Sequence, residues 1–162
     1  MREHTASTSP QVRVPSTVHA TAVAIGEAGV LIRGVSGAGK SKLALVILAE
    51  AGRTGLFARL ISDDRVRLSL SGGRLLAHAH PAIAGKIEGR GEGILTLVHE
   101  ASAVVRAVVD LVDPKAGKPP RLPDKSEKTA EIGGISLPRL SLCQDRSAGE
   151  AAQRILAFLG NA

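Results

Sequence analysis

Gly34-Val35-Ser36-Gly37-Ala38-Gly39-Lys40-Ser41 fits the phosphate-binding loop pattern of glycine, four residues, glycine, lysine and serine, and the rest of the chain is read outward from it. Residues 30–33, Val-Leu-Ile-Arg, are a short run rich in branched apolar side chains and predict a strand leading into the loop. Residues 42–51 are helix formers that run to Gly52, where a left-handed C-terminal cap is expected. In that setting the glycines let backbone N–H groups turn inward around phosphate oxygens, and the helix start adds partial positive charge at the same place. Lys40 then reaches the terminal phosphates of a bound nucleotide, and Ser41 ligates magnesium. The plainer alternative is a glycine-rich turn before an ordinary helix.

At 162 residues the chain is long enough for one core and short for two, so residues 18–162 are expected to form a single domain. Residues 1–17, with Pro10, Pro15 and many hydroxyl side chains, read as a flexible arm. A content of 44% apolar and 22% charged residues is that of a soluble globular chain and not of a disordered one. Lone Cys143 cannot make an internal disulfide and no Cys/His cluster has zinc-site spacing, which fits a reducing, cytoplasmic setting. No stretch reads as a signal peptide or membrane span, since the most apolar run is broken by Arg106 and Asp110. A net charge of +6 suits nucleic acid in principle, but with no Trp or Tyr and only Phe57 and Phe158 there is almost nothing for bases to stack on. A nucleotide or a protein partner uses such charge equally well.

Along the chain, residues 18–25 read as a strand, 26–29 as a turn and 30–33 as its return, a hairpin feeding the loop. Residues 56–62 form a buried strand ending in Asp63-Asp64, at the strand end where open α/β sheets bind ligands. Neighbouring strand side chains point to opposite faces, so the two carboxylates are expected to divide their labour. One facing the terminal phosphate positions magnesium or its water, or takes a proton from an attacking hydroxyl. The alternative is an acidic pair that opens a turn before Arg65. Gly72-Gly73 predicts a second hairpin, 65–70 with 74–79. His78 and His80 lie on it as a polar strand face, with no Cys or carboxylate partner nearby to make a metal site. Residues 84–95, with four glycines, are expected to be an irregular, closely packed loop. A central strand follows at 103–112, a solvated lysine- and proline-rich loop at 115–128, and an edge strand at 135–143 with Pro138 against a central place. Ser147 and Glu150 form a capping box for a helix at 148–159, whose stripe is Ala151, Ile155, Leu156 and Leu159.

The strand near His19, the phosphate loop, Asp63-Asp64-Arg65-Val66 and Glu88-Gly89-Arg90-Gly91-Glu92-Gly93-Ile94-Leu95 follow one another in an order that resembles the catalytic domain of bacterial HPr kinase/phosphorylase. The resemblance runs from residue 18 to about 139 and is to the short forms without an N-terminal domain. It implies an α/β P-loop nucleotide-binding domain with a central mixed sheet, added hairpins and flanking helices. It further implies ATP and magnesium as cofactors, and transfer to a serine of HPr, the phosphocarrier of the bacterial phosphotransferase system. Many members also run phosphorolysis of that phosphoserine, and the family forms hexamers.

Residue by residue, the resemblance assigns Gly34, Val35, Ser36, Gly37, Ala38, Gly39, Lys40 and Ser41 to ATP, Ser41 and Glu88 to magnesium, and Asp64 to the general base. His19 and Lys40 match further catalytic positions, although His19 taken alone is an ordinary strand-end histidine. Arg121 resembles the family's catalytic arginine, which binds the transferring phosphoryl group from the same or a neighbouring subunit. The family stretch Glu-Ile-Arg-Gly-Leu-Gly-Ile is changed by Gly89 and Glu92, and of the motif linked to dephosphorylation only Arg146 matches. The expectation is a cytoplasmic, homo-oligomeric serine kinase acting on an HPr-like carrier, with no nucleic-acid or membrane partner. A P-loop kinase of a small metabolite and a non-catalytic ATP-sensing module are the alternatives.

Overall fold

The computed structural model describes Val14 and residues 16–160. Residues 1–13 and 15 of the expected arm lie outside the described residues, and its last residue, Thr17, already belongs to a strand. The strand expected over 18–25 is two strands, β1 (Thr17–His19) and β2 (Thr21–Ile25), divided at buried Ala20. β2 forms the expected hairpin with β3 (Ala28–Arg33).

Helix α1 (Lys40–Thr54) runs through Gly52, where it was expected to end, and is capped by Gly55 at φ 73°. Leu43, Ala44, Ile47 and Ala51 bury one face of it, and that burial outweighs the cost of one interior glycine. Gly55 N–H caps the carbonyls of Ala51 and Gly52. Gly55→Ala is expected to cost about 1 kcal/mol, because a Cβ is unfavourable in the left-handed region. A urea-unfolding midpoint equal to that of the unmodified protein would show that the cap contributes nothing.

Nine of the eleven described strands make one mixed sheet. After α1 come β4 (Ala58–Ser62), β5 (Arg65–Ser71), β6 (Arg74–Ala79) and the long β9 (Ser102–Val112), and the sheet order is β1-β5-β6-β9-β3-β2-β4. β3 and β9 are parallel, while β6 pairs antiparallel with residues 102–104 of β9. β10 (Thr129–Ile132), which was not expected, forms a hairpin with β11 (Ile135–Cys143) around Gly133-Gly134. β11 then runs parallel to residues 108–112 of β9, so it has two partners and is not the simple edge expected. Pro138 falls where β11 changes from one partner to the other.

Residues 84–95 are also more regular than expected. They hold β7 (Lys86–Gly89) and β8 (Gly93–Thr96), a separate two-stranded sheet with Gly89 opposite Gly93. Ile87 is buried between exposed Lys86 and Glu88, so strand alternation survives the glycines.

Strand alternation also sorts the core into two clusters. Val23, Ile25, Val30 and Ile32 pack with α1 and with α2 (Ala148–Gly160), whereas Ala22, Ala24 and Leu31 face Val66, Leu68, Leu75 and Ala77 of β5 and β6. Both helices therefore lie on one face, and the sheet curls over to cover the other. Ser147 Oγ accepts from Glu150 N–H at 3.2 Å at the start of α2, as the capping pattern predicts. His78 Nε2 and Ser69 Oγ are 2.7 Å apart across β5 and β6, and no three His, Cys, Asp or Glu among the described residues cluster as a metal site. No described helix is long and apolar enough to cross a membrane.

Candidate active site

The Gly34–Ser41 segment joins the end of β3 to the start of α1, the strand-loop-helix order the sequence predicts. Gly34 is required by close approach, since a Cβ there would lie 3.0 Å from Ala38 Cβ and 3.2 Å from Leu111 Cβ. Ala38 is buried, Val35 is exposed, and Ser36, Gly37, Gly39, Lys40 and Ser41 line a cleft of about 790 Å³. No side chain caps the start of α1, which leaves the helix end to the cleft.

Lys40 is buried and folds back on its own loop. Its Nζ donates to the carbonyls of Gly34 at 2.8 Å and Val35 at 3.1 Å, and lies 3.3 Å from His19 Nε2. Burial pushes its pKa below the ordinary lysine value, against the pull of Asp64 and then Asp63. An ammonium only donates, so His19 Nε2 is the acceptor and Nδ1 carries the proton. Nδ1 lies 3.1 Å from Asp64 Oδ1, so Lys40, His19 and Asp64 stand next to one another along the cleft.

The two aspartates after β4 have opposite surroundings. Asp63 is buried and accepts from Thr21 Oγ1 at 2.7 Å and from Ser41 Oγ at 2.8 and 2.9 Å. Asp64 keeps 63% of its side chain exposed. Arg65 N–H donates to Asp63 O at 2.7 Å, closing a three-residue turn whose apex, Asp64, has φ 65°. It is the only non-glycine with positive φ among the described residues. Such a conformation is costly and is characteristic of functional turns.

Glu88 lies on exposed alternation positions of β7 and lines the cleft; its N–H reaches Asp63 Oδ2 at 3.4 Å. Ser41, Asp63 and Glu88 all line this cleft and carry oxygen donors, the ligand type that magnesium takes. Lys42, Arg65, Lys86 and Arg90 also line the cleft and supply positive charge suited to a polyphosphate. Arg121 is exposed and is not among the lining residues. Thr21 and Lys86 went unrecognised in the sequence. Thr21 had one signal, its spacing of two from His19, and Lys86 had only its place beside Glu88.

A family model described as the HPr Serine kinase C-terminal domain matches residues 11–145. The chain belongs to that family. Within it, the chain is similar to the HPr kinase/phosphorylase of Mycoplasma mycoides, 36% identical over 104 residues, covering 60% of this chain and 31% of that protein. It is likewise similar to the HPr kinase/phosphorylase of Bordetella petrii, 35% identical over 83 residues, covering 51% of this chain and 25% of that one. The chain spans less than a third of the length of these curated relatives. The solved structure of the Hpr(Ser) kinase/phosphatase from Coxiella burnetii has the same fold, with a TM-score of 0.72 at 24% identity over 91% of this chain and 95% of that one.

Proposed function

We propose that residues 18–162 act as one P-loop kinase domain that transfers the γ-phosphoryl group of ATP to a serine of an HPr-like phosphocarrier, in the cytoplasm. The observation that carries this is the division of the Asp63-Asp64 pair, one carboxylate buried on Ser41 and the other exposed beside His19 at the mouth of the cleft. Membership of the HPr serine kinase family supports the same reading.

The Gly34–Ser41 loop and the start of α1 hold the phosphates, with Lys40 leaving its loop carbonyls to meet the terminal ones. Magnesium, held by Ser41, Asp63 and Glu88, supplies charge neutralisation at the phosphates. Asp64 accepts the proton of the substrate serine as its oxygen bonds to the γ-phosphorus; the bond from that phosphorus to the bridging oxygen breaks, and ADP leaves. His19 orients Asp64 through Nδ1. Arg121, outside the cleft of its own chain, serves the transferring group after loop movement or from a neighbouring subunit of a homo-oligomer.

The test is intact-mass analysis of an HPr-type phosphocarrier from the same organism, incubated with the protein, ATP and magnesium. One added phosphoryl group on a serine is expected, with the rate reduced at least about 100-fold in Lys40→Ala. An unchanged mass while ATP still binds would overturn the protein-kinase reading in favour of a small-metabolite kinase or an ATP-sensing module.

A further inference from the structure

Thr21 opens β2 and is completely buried, yet its hydroxyl is committed to the cleft. Its Oγ1 donates to Asp63 Oδ1 at 2.7 Å, across 42 residues of sequence. The ladder between β2 and β4 explains the meeting, because Ala22 pairs with Ser62 and the next residue outward on each strand is Thr21 and Asp63. The register of that ladder shifts between Ala22 and Val23, an irregularity of the kind that re-aims side chains beside active sites. As a β-branched residue in a strand, Thr21 has a stiff χ1, so its hydroxyl is a fixed donor.

Asp63 has two oxygens to rotate, and the short bond from Thr21 to Oδ1, with the longer one from Glu88 N–H to Oδ2, sets which way they point. With Oδ1 held by Thr21, the carboxylate presents both oxygens to the Ser41 hydroxyl, at 2.8 and 2.9 Å. The single Ser41 proton is then spent on Asp63, and the lone pairs of Ser41 Oγ are left for a cation. We infer that Thr21 is a positioning residue for the magnesium site, acting through Asp63 on Ser41. The inference rests on the proposed nucleotide and magnesium site, and extends it to a residue that touches neither ligand. Outer-shell donors of this kind are worth about 10- to 100-fold in metal affinity.

The experiment is a magnesium titration of fluorescent ADP binding to the full chain, for the unmodified protein, Thr21→Val and Thr21→Ser. Valine keeps the shape and removes the donor, whereas serine keeps the donor. The inference expects the magnesium midpoint to rise about tenfold in Thr21→Val, to stay within about twofold in Thr21→Ser, and magnesium-free affinity to be unchanged in both. A folded Thr21→Val with the unmodified midpoint overturns the role of Thr21 and leaves the proposed function standing. Binding that ignores magnesium in the unmodified protein overturns the underlying site, and this inference with it. If valine prevents folding, Thr21→Ala carries the same two outcomes.

Discussion

Asp64→Asn is expected to slow phosphoryl transfer about 1,000-fold, the middle of the range for a positioned general base, while nucleotide affinity stays within a few fold. Asparagine is the informative replacement because of the backbone. Asp64 sits at φ 65°, a region that asparagine tolerates as well as aspartate and that alanine enters only at a cost of about 1 kcal/mol. Asparagine keeps the size and shape of the side chain beside His19 Nδ1, so the change removes the basic carboxylate and little else. Single-turnover transfer from ATP, followed beside an ADP titration, separates the two effects. A variant that keeps more than a tenth of the rate would remove Asp64 from the role of base. Asp63→Asn should behave differently, weakening magnesium-dependent binding itself, because that side chain is buried on Ser41 and Thr21.

What the sequence revealed of the fold was mostly local. Gly26 and the pair Gly72-Gly73 mark true hairpin turns, the branched run at 103–112 is the hub strand β9, and Ser147 with Glu150 starts α2 where expected. Local signals failed where packing overrode them. Gly52 does not stop α1, since buried Ala51 holds the turn in place and Gly55 is the residue with the left-handed backbone. Glycines at 85–93 suggested irregularity, but Ile87 is buried and draws the segment into a hairpin. The parallel joining of β11 to β9 and the curl that leaves both helices on one face depend on long-range pairing, which no window of sequence contains.

The same distinction runs through the cleft. The loop is legible because glycine, lysine and serine lie in one window, whereas Asp63 and Asp64 part company through the turn that follows β4 and not through strand alternation. Thr21 is not legible, because its tie to Asp63 exists only once β2 and β4 pair.

A cluster behind the loop is equally invisible in the sequence, and its removal should give the second large effect. Arg33, the residue before Gly34, donates through Nε and a terminal nitrogen to both oxygens of Asp110 at 2.7 and 2.8 Å, and Arg139 Nε donates to the same carboxylate at 2.5 Å. β3 and β9 are thereby clamped at the end nearest the loop, with Arg139 reaching the same carboxylate from the middle of β11. Burial pushes the Asp110 carboxyl up, but the hydrogen bonds and charges of the two guanidinium groups outweigh it and hold the group below its ordinary value. Asp110→Asn leaves two arginines facing each other without the charge between them. The Asp110 side chain is only 14% exposed, but Arg33 and Arg139 are 36% and 28% exposed, so solvent moderates the loss to about 2 kcal/mol at pH 7. Because the folded pKa is depressed, this stabilisation is fully present above the unfolded carboxyl value, near 3.8, and is lost as pH falls through the lower folded value. Urea unfolding should therefore show a gap between the two proteins that is constant from neutral pH down to about 5 and closes progressively below about 4. A gap that persists unchanged to pH 2 would mean that Asp110 acts by shape and not by charge. Nucleotide affinity should also fall severalfold in Asp110→Asn, since Arg33 carries the chain directly into Gly34 and a loosened strand end misplaces the loop whose N–H groups face the phosphates.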